Sequence, residues 1–153
     1  MFNLILFEPE IPPNTGTIIR LCANTGAKLH LIEPLGFDLD EKKLRRAALD
    51  YKEFVNITTH QSLVECCNFL NMPRLFAFST KGKISYDVPS YAKNDAFLFG
   101  PETRGLPNNI LSSTIVKETL KIPMRPGNRS LNLSNAAAIV VYEGWRQLNY
   151  FGA

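Results

Sequence analysis

Short apolar runs alternate with stretches of helical periodicity along this chain. Phe2–Phe7 is a compact apolar run, the pattern of a strand buried on both faces, and the Pro-rich segment Glu8–Pro13 ends it. Asn14 can cap a helix from Thr15 to about Thr25, with Gly26 as its left-handed stop. Leu29–Ile32 reads as a second strand. Asp40 can cap a helix running through Leu49, and Phe54–Thr58 has the character of a third strand. Ser62–Leu70 predicts a short helix, Arg74–Ser79 a strand followed by a turn at Thr80–Lys83, and Ala96–Phe99 another apolar strand opening into Gly100–Pro107. Toward the C-terminus, Leu120–Pro123 ends a strand, and Arg125–Ser130 has the Pro, Gly and Asn chemistry of a sharp turn. Ser134 can then cap a helix from Asn135 to Leu148. Ala137, Val140, Val141, Gly144, Trp145 and Leu148 share one face of it. Ala136, Ile139 and Tyr142 carry apolar surface further round, so this helix is expected to be covered on more than one side.

Strands alternating with helices predict an α/β domain with a mainly parallel sheet flanked by helices. In such sheets ligands sit beyond the carboxyl ends of strands, where loops lead into helices. The loops richest in Gly, Pro and Asn, 8–16, 100–107 and 124–132, all follow strands, so they are expected to converge on one site.

Composition narrows the chemistry. With 153 residues the chain is expected to form a single domain spanning 1–153, and 45% hydrophobic and 20% charged residues are ordinary for a water-soluble one. A net charge of +3 permits nucleic-acid binding without demanding it. Cys22, Cys66 and Cys67 form no CxxC pair and no even framework, as expected of reduced thiols in a cytoplasmic protein. The N-terminus lacks a basic leader, and no apolar run approaches membrane-spanning length, so neither export nor a membrane is expected. Gly100 and Gly105 have the wrong spacing for a dinucleotide or P-loop fingerprint. His30 and His60 look isolated, which leaves no metal set, and no Ser/His/acid arrangement is apparent.

What remains is suggestive. Asn14, Gly16 and Arg20 form N-x-G-x-x-x-R at a helix start. Arg20 suits phosphate recognition, and equally suits a solvent-facing helix position. Glu102 is held in a Gly/Pro-restricted loop; a surface carboxylate is the other reading. Ser130, Asn132, Ser134 and Asn135 crowd a helix N-terminus, where N–H groups favour an electron-rich ligand, although capping accounts for some of them. Lys42, Lys43, Arg45 and Arg46 lie on a predicted helix and read first as a solvated face.

Together N-x-G-x-x-x-R at Asn14–Arg20, F-G-P-E-x-x-G at Phe99–Gly105 and I-P-M…S-L-N-L-S-N-A at Ile122–Ala136 resemble the three signature motifs of the SPOUT class of RNA methyltransferases, SpoU branch. The likeness runs across nearly the whole chain and is greatest to the small bacterial subfamily that methylates the wobble ribose of certain leucine tRNAs. The resemblance implies a SPOUT fold with a deep C-terminal trefoil knot, which chain physics alone argues against. It implies S-adenosylmethionine as cofactor, held by Phe78, Ser79, Thr80, Gly100, Glu102, Ile122, Met124, Ser130 and Leu131. It implies catalytic roles for Arg20, Asn14, Glu102, Ser130 and Asn132. It also implies a homodimer in which the partner's Arg20 faces the site, and a tRNA anticodon stem-loop as macromolecular partner.

A guanidinium stays protonated in proteins, so Arg20 is expected to hold phosphate and ribose and to stabilise developing negative charge. Asn14 would orient Arg20 or the ribose, and Glu102 would hold Arg20 or complement the sulfonium. The chain begins almost at the first motif, so no appended RNA-binding domain is expected, and Arg125, Arg129 and the 42–46 cluster are candidates for phosphate contacts. A methyltransferase of the same class acting on ribosomal RNA, or a non-catalytic RNA-binding protein of the same fold, are the alternatives.

Overall fold

A computed structural model describes residues 1–39 and 57–153. The helix expected over 40–49, its Lys42–Arg46 cluster and the start of the strand expected at Phe54 lie outside the described residues. The elements in chain order are β1 (Asn3–Phe7), α1 (Pro12–Thr25), β2 (Lys28–Ile32), β3 (Ile57–His60), α2 (Leu63–Phe69), β4 (Leu75–Phe78), β5 (Ile84–Ser85), β6 (Ala96–Phe99), α3 (Asn108–Leu111), β7 (Val116–Lys121) and α4 (Leu133–Gln147). The strands form one sheet in the order β3-β2-β1-β6-β4-β7-β5, and every described pairing is parallel. The α/β expectation holds in this form.

The sequence explains the layering. β1, β4 and β6 are apolar on both faces because they lie inside the sheet with helices on either side. Leu4, Leu6, Leu29, Leu31, Phe76 and Phe97 face one layer, built with Ile18, Ile19, Val140, Val141 and Trp145 of α1 and α4. Ile5, Ile32, Leu75, Ala77 and Leu98 face the other, which Leu63, Cys66 and Cys67 of α2 close. Gly144 lets α4 lie directly on the strands: a Cβ there would sit 2.9 Å from the Phe2 ring and 3.2 Å from that of Phe97. At the N-terminal end of β4, Arg74 Nε and Nη2 grip the buried Asp95 carboxylate at 2.8 and 2.5 Å.

Element boundaries moved where local capping differs from the pattern. α1 starts two residues before Asn14, since Pro12 and Pro13 supply fixed φ at its first positions and Ile11 is the flanking residue. Gly26 stops it at φ 74, as its sequence predicts. α4 begins at Leu133 with Asn132 as its cap, so Ser134 is not the cap. β5 and α3 are too short to carry a periodic signal. His30 and His60 are not isolated: pairing of β2 with β3 places both on the α2 face, with His30 Nδ1 3.1 Å from His60 Nε2. Among the described residues, no helix is long and apolar enough to cross a membrane.

Candidate functional site

Beyond the carboxyl ends of β4, β6 and β7 lies a cavity of about 260 Å³. All the residues expected to hold a cofactor line it: Phe78, Ser79 and Thr80 at the end of β4, Gly100 and Glu102 after β6, and Ile122, Met124, Ser130 and Leu131 after β7. Its walls mix aromatic and aliphatic surface with strand-end backbone, and its size lies at the small end of metabolite sites. Two glycines shape it. A Cβ on Gly100 would lie 2.3 Å from the Leu106 nitrogen and 2.5 Å from the Gly105 carbonyl carbon, so the 100–106 loop folds back on itself only over a glycine. A Cβ on Gly82 would lie 2.5 Å from the carbonyl carbon of Leu120, which packs the loop after β4 against the end of β7.

The first loop does not line the cavity; it braces it. The Glu102 carboxylate accepts from the backbone N–H of Glu10 at 2.7 Å and of Ile11 at 3.0 Å. Asn14 Nδ2 approaches the same carboxylate at 3.5 Å. Asn14 is buried in the first turn of α1, and its Oδ1 accepts from Asn132 Nδ2 at 2.9 Å. Asn132 Oδ1 accepts from the Ser134 and Asn135 backbone N–H groups and from the Ser134 hydroxyl, satisfying the free donors that open α4. Glu10 reciprocates toward the second loop by accepting from the Thr103 N–H and hydroxyl, and these hydrogen bonds hold its carboxyl below the usual range. Arg104 reaches back to Glu8 at 3.1 Å. The three loops therefore do converge, as their composition predicts.

Of the residues expected to be catalytic, Glu102 and Ser130 line the cavity, while Asn14 and Asn132 stand behind it in the same hydrogen-bonded relay. Arg20 is exposed on α1 and is not part of the lining. It lies six residues after Asn14, about 240° round the helix at about 100° per residue, so the two point to different sides. Within its own chain the Glu102 carboxylate is held by the backbone N–H groups of residues 10 and 11. The lining also includes Lys81, which lies outside the three loops expected to converge. Lys81 is exposed beside the cavity, with Nζ on Asn108 at 2.9 Å. Only its place in the turn after a strand could have marked it.

Comparison with known proteins bears on this geometry. The sequence profile of the SpoU rRNA Methylase family matches residues 1–142. A tRNA (cytidine(34)-2'-O)-methyltransferase of Escherichia coli (strain K12) is 56% identical over 153 residues, covering 100% of this chain and 98% of its own length. A solved structure from work on 2-OH methylation of C/U34 on tRNA superposes with a TM-score of 0.89 at 44% identity, covering 98% of this chain and 97% of that one. The SpoU methyltransferase AviRb of Streptomyces viridochromogenes, in complex with AdoMet, superposes with a TM-score of 0.84 at 25% identity, covering 99% of this chain and 58% of that one.

Proposed function

The chain belongs to the SpoU rRNA methylase family, and on that premise we propose that it is an S-adenosylmethionine-dependent enzyme that methylates the ribose 2'-OH of the wobble nucleotide, cytidine or uridine, in leucine tRNAs. The observation that carries this reading is the cavity itself: the residues of the second and third motifs line it, and the first motif braces it through Asn14. The residues present fit the cofactor. Phe78, Phe99, Ile122 and Leu131 offer apolar surface for a purine ring, and the close turn at Gly100 keeps strand-end backbone free of side chain. When bound, S-adenosylmethionine supplies an electrophilic methyl group on a sulfonium.

The chain's own residues supply position and charge. Glu102 fixes the second loop to the start of α1, and Asn132 fixes the start of α4 to Asn14, so the cavity walls are held by the chain's own hydrogen bonds. Ser130 sits on the exposed rim, with Arg125 and Arg129 exposed in the same loop and able to meet tRNA phosphate. The enzyme is a homodimer of single-domain chains spanning 1–153. Support comes from α4, whose Tyr142 is exposed beside buried Val140 and Val141, and from Arg20, which is exposed on α1 and outside the lining of its own chain's cavity. The partner subunit's Arg20 then holds the nucleotide's phosphate and stabilises negative charge developing on the 2'-oxygen, as a permanently protonated guanidinium can. The chain beyond β7 is threaded as a trefoil knot. The placing of β7 between the earlier strands β4 and β5, with Gly82 pressed on Leu120, supports this.

The test is incubation of the purified protein with isotopically labelled S-adenosylmethionine and total cellular RNA, followed by separation of tRNA from ribosomal RNA, nuclease digestion and mass spectrometry. Label on the wobble ribose of leucine tRNAs is the expected result. Label confined to ribosomal RNA, or binding of tRNA without transfer, overturns the proposal.

A further inference from the structure

Independently of methyl transfer, the α2 face of the sheet brings together a set of ligating side chains. His30 of β2 and His60 of β3 lie on adjacent parallel strands; His30 pairs with Thr58 and Ile32 with His60, so the two imidazoles stand diagonally on the same face. The Ser62 cap, accepting from the Glu65 N–H, starts α2 so that Cys66 comes down over them. One nitrogen of each ring and the Cys66 sulfur lie within 4.8 Å of one another. Exposure is 2% for His30, 4% for His60 and 0% for Cys66. His30 Nε2, the nitrogen turned away from His60, has no hydrogen-bond partner among the described residues and can carry the ring's N–H when Nδ1 binds.

We propose that His30, His60 and Cys66 form a binding site for a thiophilic divalent cation, Zn²⁺ in the first instance, with two imidazole nitrogens and one thiolate as ligands and water in the fourth position. The donor set of two nitrogens and a sulfur suits a borderline-soft ion and not Mg²⁺ or Ca²⁺, which prefer oxygen. The geometry is close to what such an ion requires. Zn–N bonds of about 2.0–2.1 Å at tetrahedral angles put two nitrogens about 3.3 Å apart. His30 Nδ1 and His60 Nε2 are 3.1 Å apart. A sulfur ligand belongs about 3.6 Å from each nitrogen, so Cys66 closes on the site by a movement of about 1 Å.

Loading puts the cation where the two rings share a proton, and that proton moves to the non-binding nitrogen of the ring that carried it. Each imidazole remains neutral, carrying its single N–H on the nitrogen that does not bind. The Cys66 thiol loses its proton to solvent, so one proton is released per cation bound. Phe69, 62% exposed, has its ring 5.3 Å from that of His60 and 6.1 Å from that of His30, and its movement opens the way in. Bound there, the cation ties β2, β3 and α2 together on the face away from α1 and α4.

Co²⁺ serves as the optical probe on the untagged, metal-stripped full-length protein. One Co²⁺ per chain, a near-ultraviolet sulfur-to-cobalt charge-transfer band, and displacement of that band by Zn²⁺ are expected, together with a rise in Tm on adding Zn²⁺. Cys66→Ser abolishes the band, whereas Cys22→Ser and Cys67→Ser leave it. Should Cys66→Ser fail to fold, persistence of the band in both other variants still assigns it to Cys66. A folded wild type that shows no charge-transfer band and no Zn²⁺-dependent rise in Tm overturns the proposal. So does a band that survives in Cys66→Ser or disappears in Cys22→Ser or Cys67→Ser.

Discussion

The side-chain amide of Asn132 donates to Oδ1 of Asn14 at 2.9 Å, across 118 positions of sequence. Asn14 passes the connection to the Glu102 carboxylate, while the other end of the Asn132 amide caps α4. Two helix starts and the loop after β6 thus share one relay, and its members are separable by substitution.

Asn132→Asp keeps the acceptor that caps α4 and loses only the donor to Asn14. Loss of that folded-state hydrogen bond should cost about 1 kcal/mol of stability, and methyl transfer should fall about tenfold as the loops it joins lose their register. Asn132→Ala loses the cap as well and should cost about 1–2 kcal/mol in urea unfolding. Equal activity in the aspartate variant and wild type would show that the contact with Asn14 is idle in catalysis.

Glu102→Ala leaves the Glu10 and Ile11 N–H groups without their carboxylate. The expected result is a loss of about 1–3 kcal/mol and a weakened hold on S-adenosylmethionine, read by calorimetric titration. Glu102→Gln retains one acceptor and should fall between. If the alanine variant bound the cofactor as wild type does, Glu102 would not set the shape of the cavity.

Gly100→Ala tests the fold-back of the second loop. The new methyl group meets backbone at 2.3 and 2.5 Å, which no side-chain rotation relieves. Destabilisation of about 1–3 kcal/mol and loss of cofactor binding are expected. Gly105→Ala is the contrast: nothing lies within 4 Å, and the cost is confined to its φ of +67, about 1 kcal/mol.

Arg74→Ala should behave in the opposite manner to the cavity variants. It strands the Asp95 carboxylate, which is 3% exposed, at the end of the sheet remote from the cavity. Since Arg74 itself is 41% exposed, about 1–3 kcal/mol of stability should be lost. Methyl transfer per folded molecule should be unchanged below the shifted Tm.

One pH effect follows from Glu143. Hydrogen bonding by Arg146, then by Gln147, holds its carboxyl below the ordinary range against the opposing effect of burial. A depressed folded value means that the carboxylate stabilises the protein above the ordinary glutamate range and stops doing so as pH falls through the folded value. Gln147 uses the same contact to stay on Tyr91 and Pro89. Glu143→Gln should therefore melt slightly below wild type at neutral pH, and the two Tm values should converge as pH falls below the ordinary glutamate range. A gap that is constant with pH would assign the effect to packing.

Much of this molecule was legible in its residues where information is local. The apolar runs at Phe2–Phe7 and Ala96–Phe99, the stop at Gly26 and the buried stripe of Ala137, Val140, Val141, Gly144 and Trp145 all appear in the structure as read. Capping was less legible. Asn14 and Ser134 are both good cap residues by type, but Pro12 and Asn132 open the helices earlier and turn Asn14 inward. The meeting of His30 with His60 depends on which strands are neighbours, and no run of residues states that. The strand order is likewise a property of long-range pairing. The cavity residues were named through motif resemblance, and their convergence then rests on backbone closeness at Gly82 and Gly100 that only coordinates reveal.

The position of β7 has a further consequence for biosynthesis. Both of its neighbours, β4 and β5, leave the ribosome before it does, so synthesis provides the slot before the piece that fills it. A nascent chain halted before Val116 leaves the β4 edge unpaired, open to any extended peptide nearby, and leaves β5 without its described partner. Arrival of β7 is then a safeguard against misassembly as well as the step that brings the third loop to the cavity.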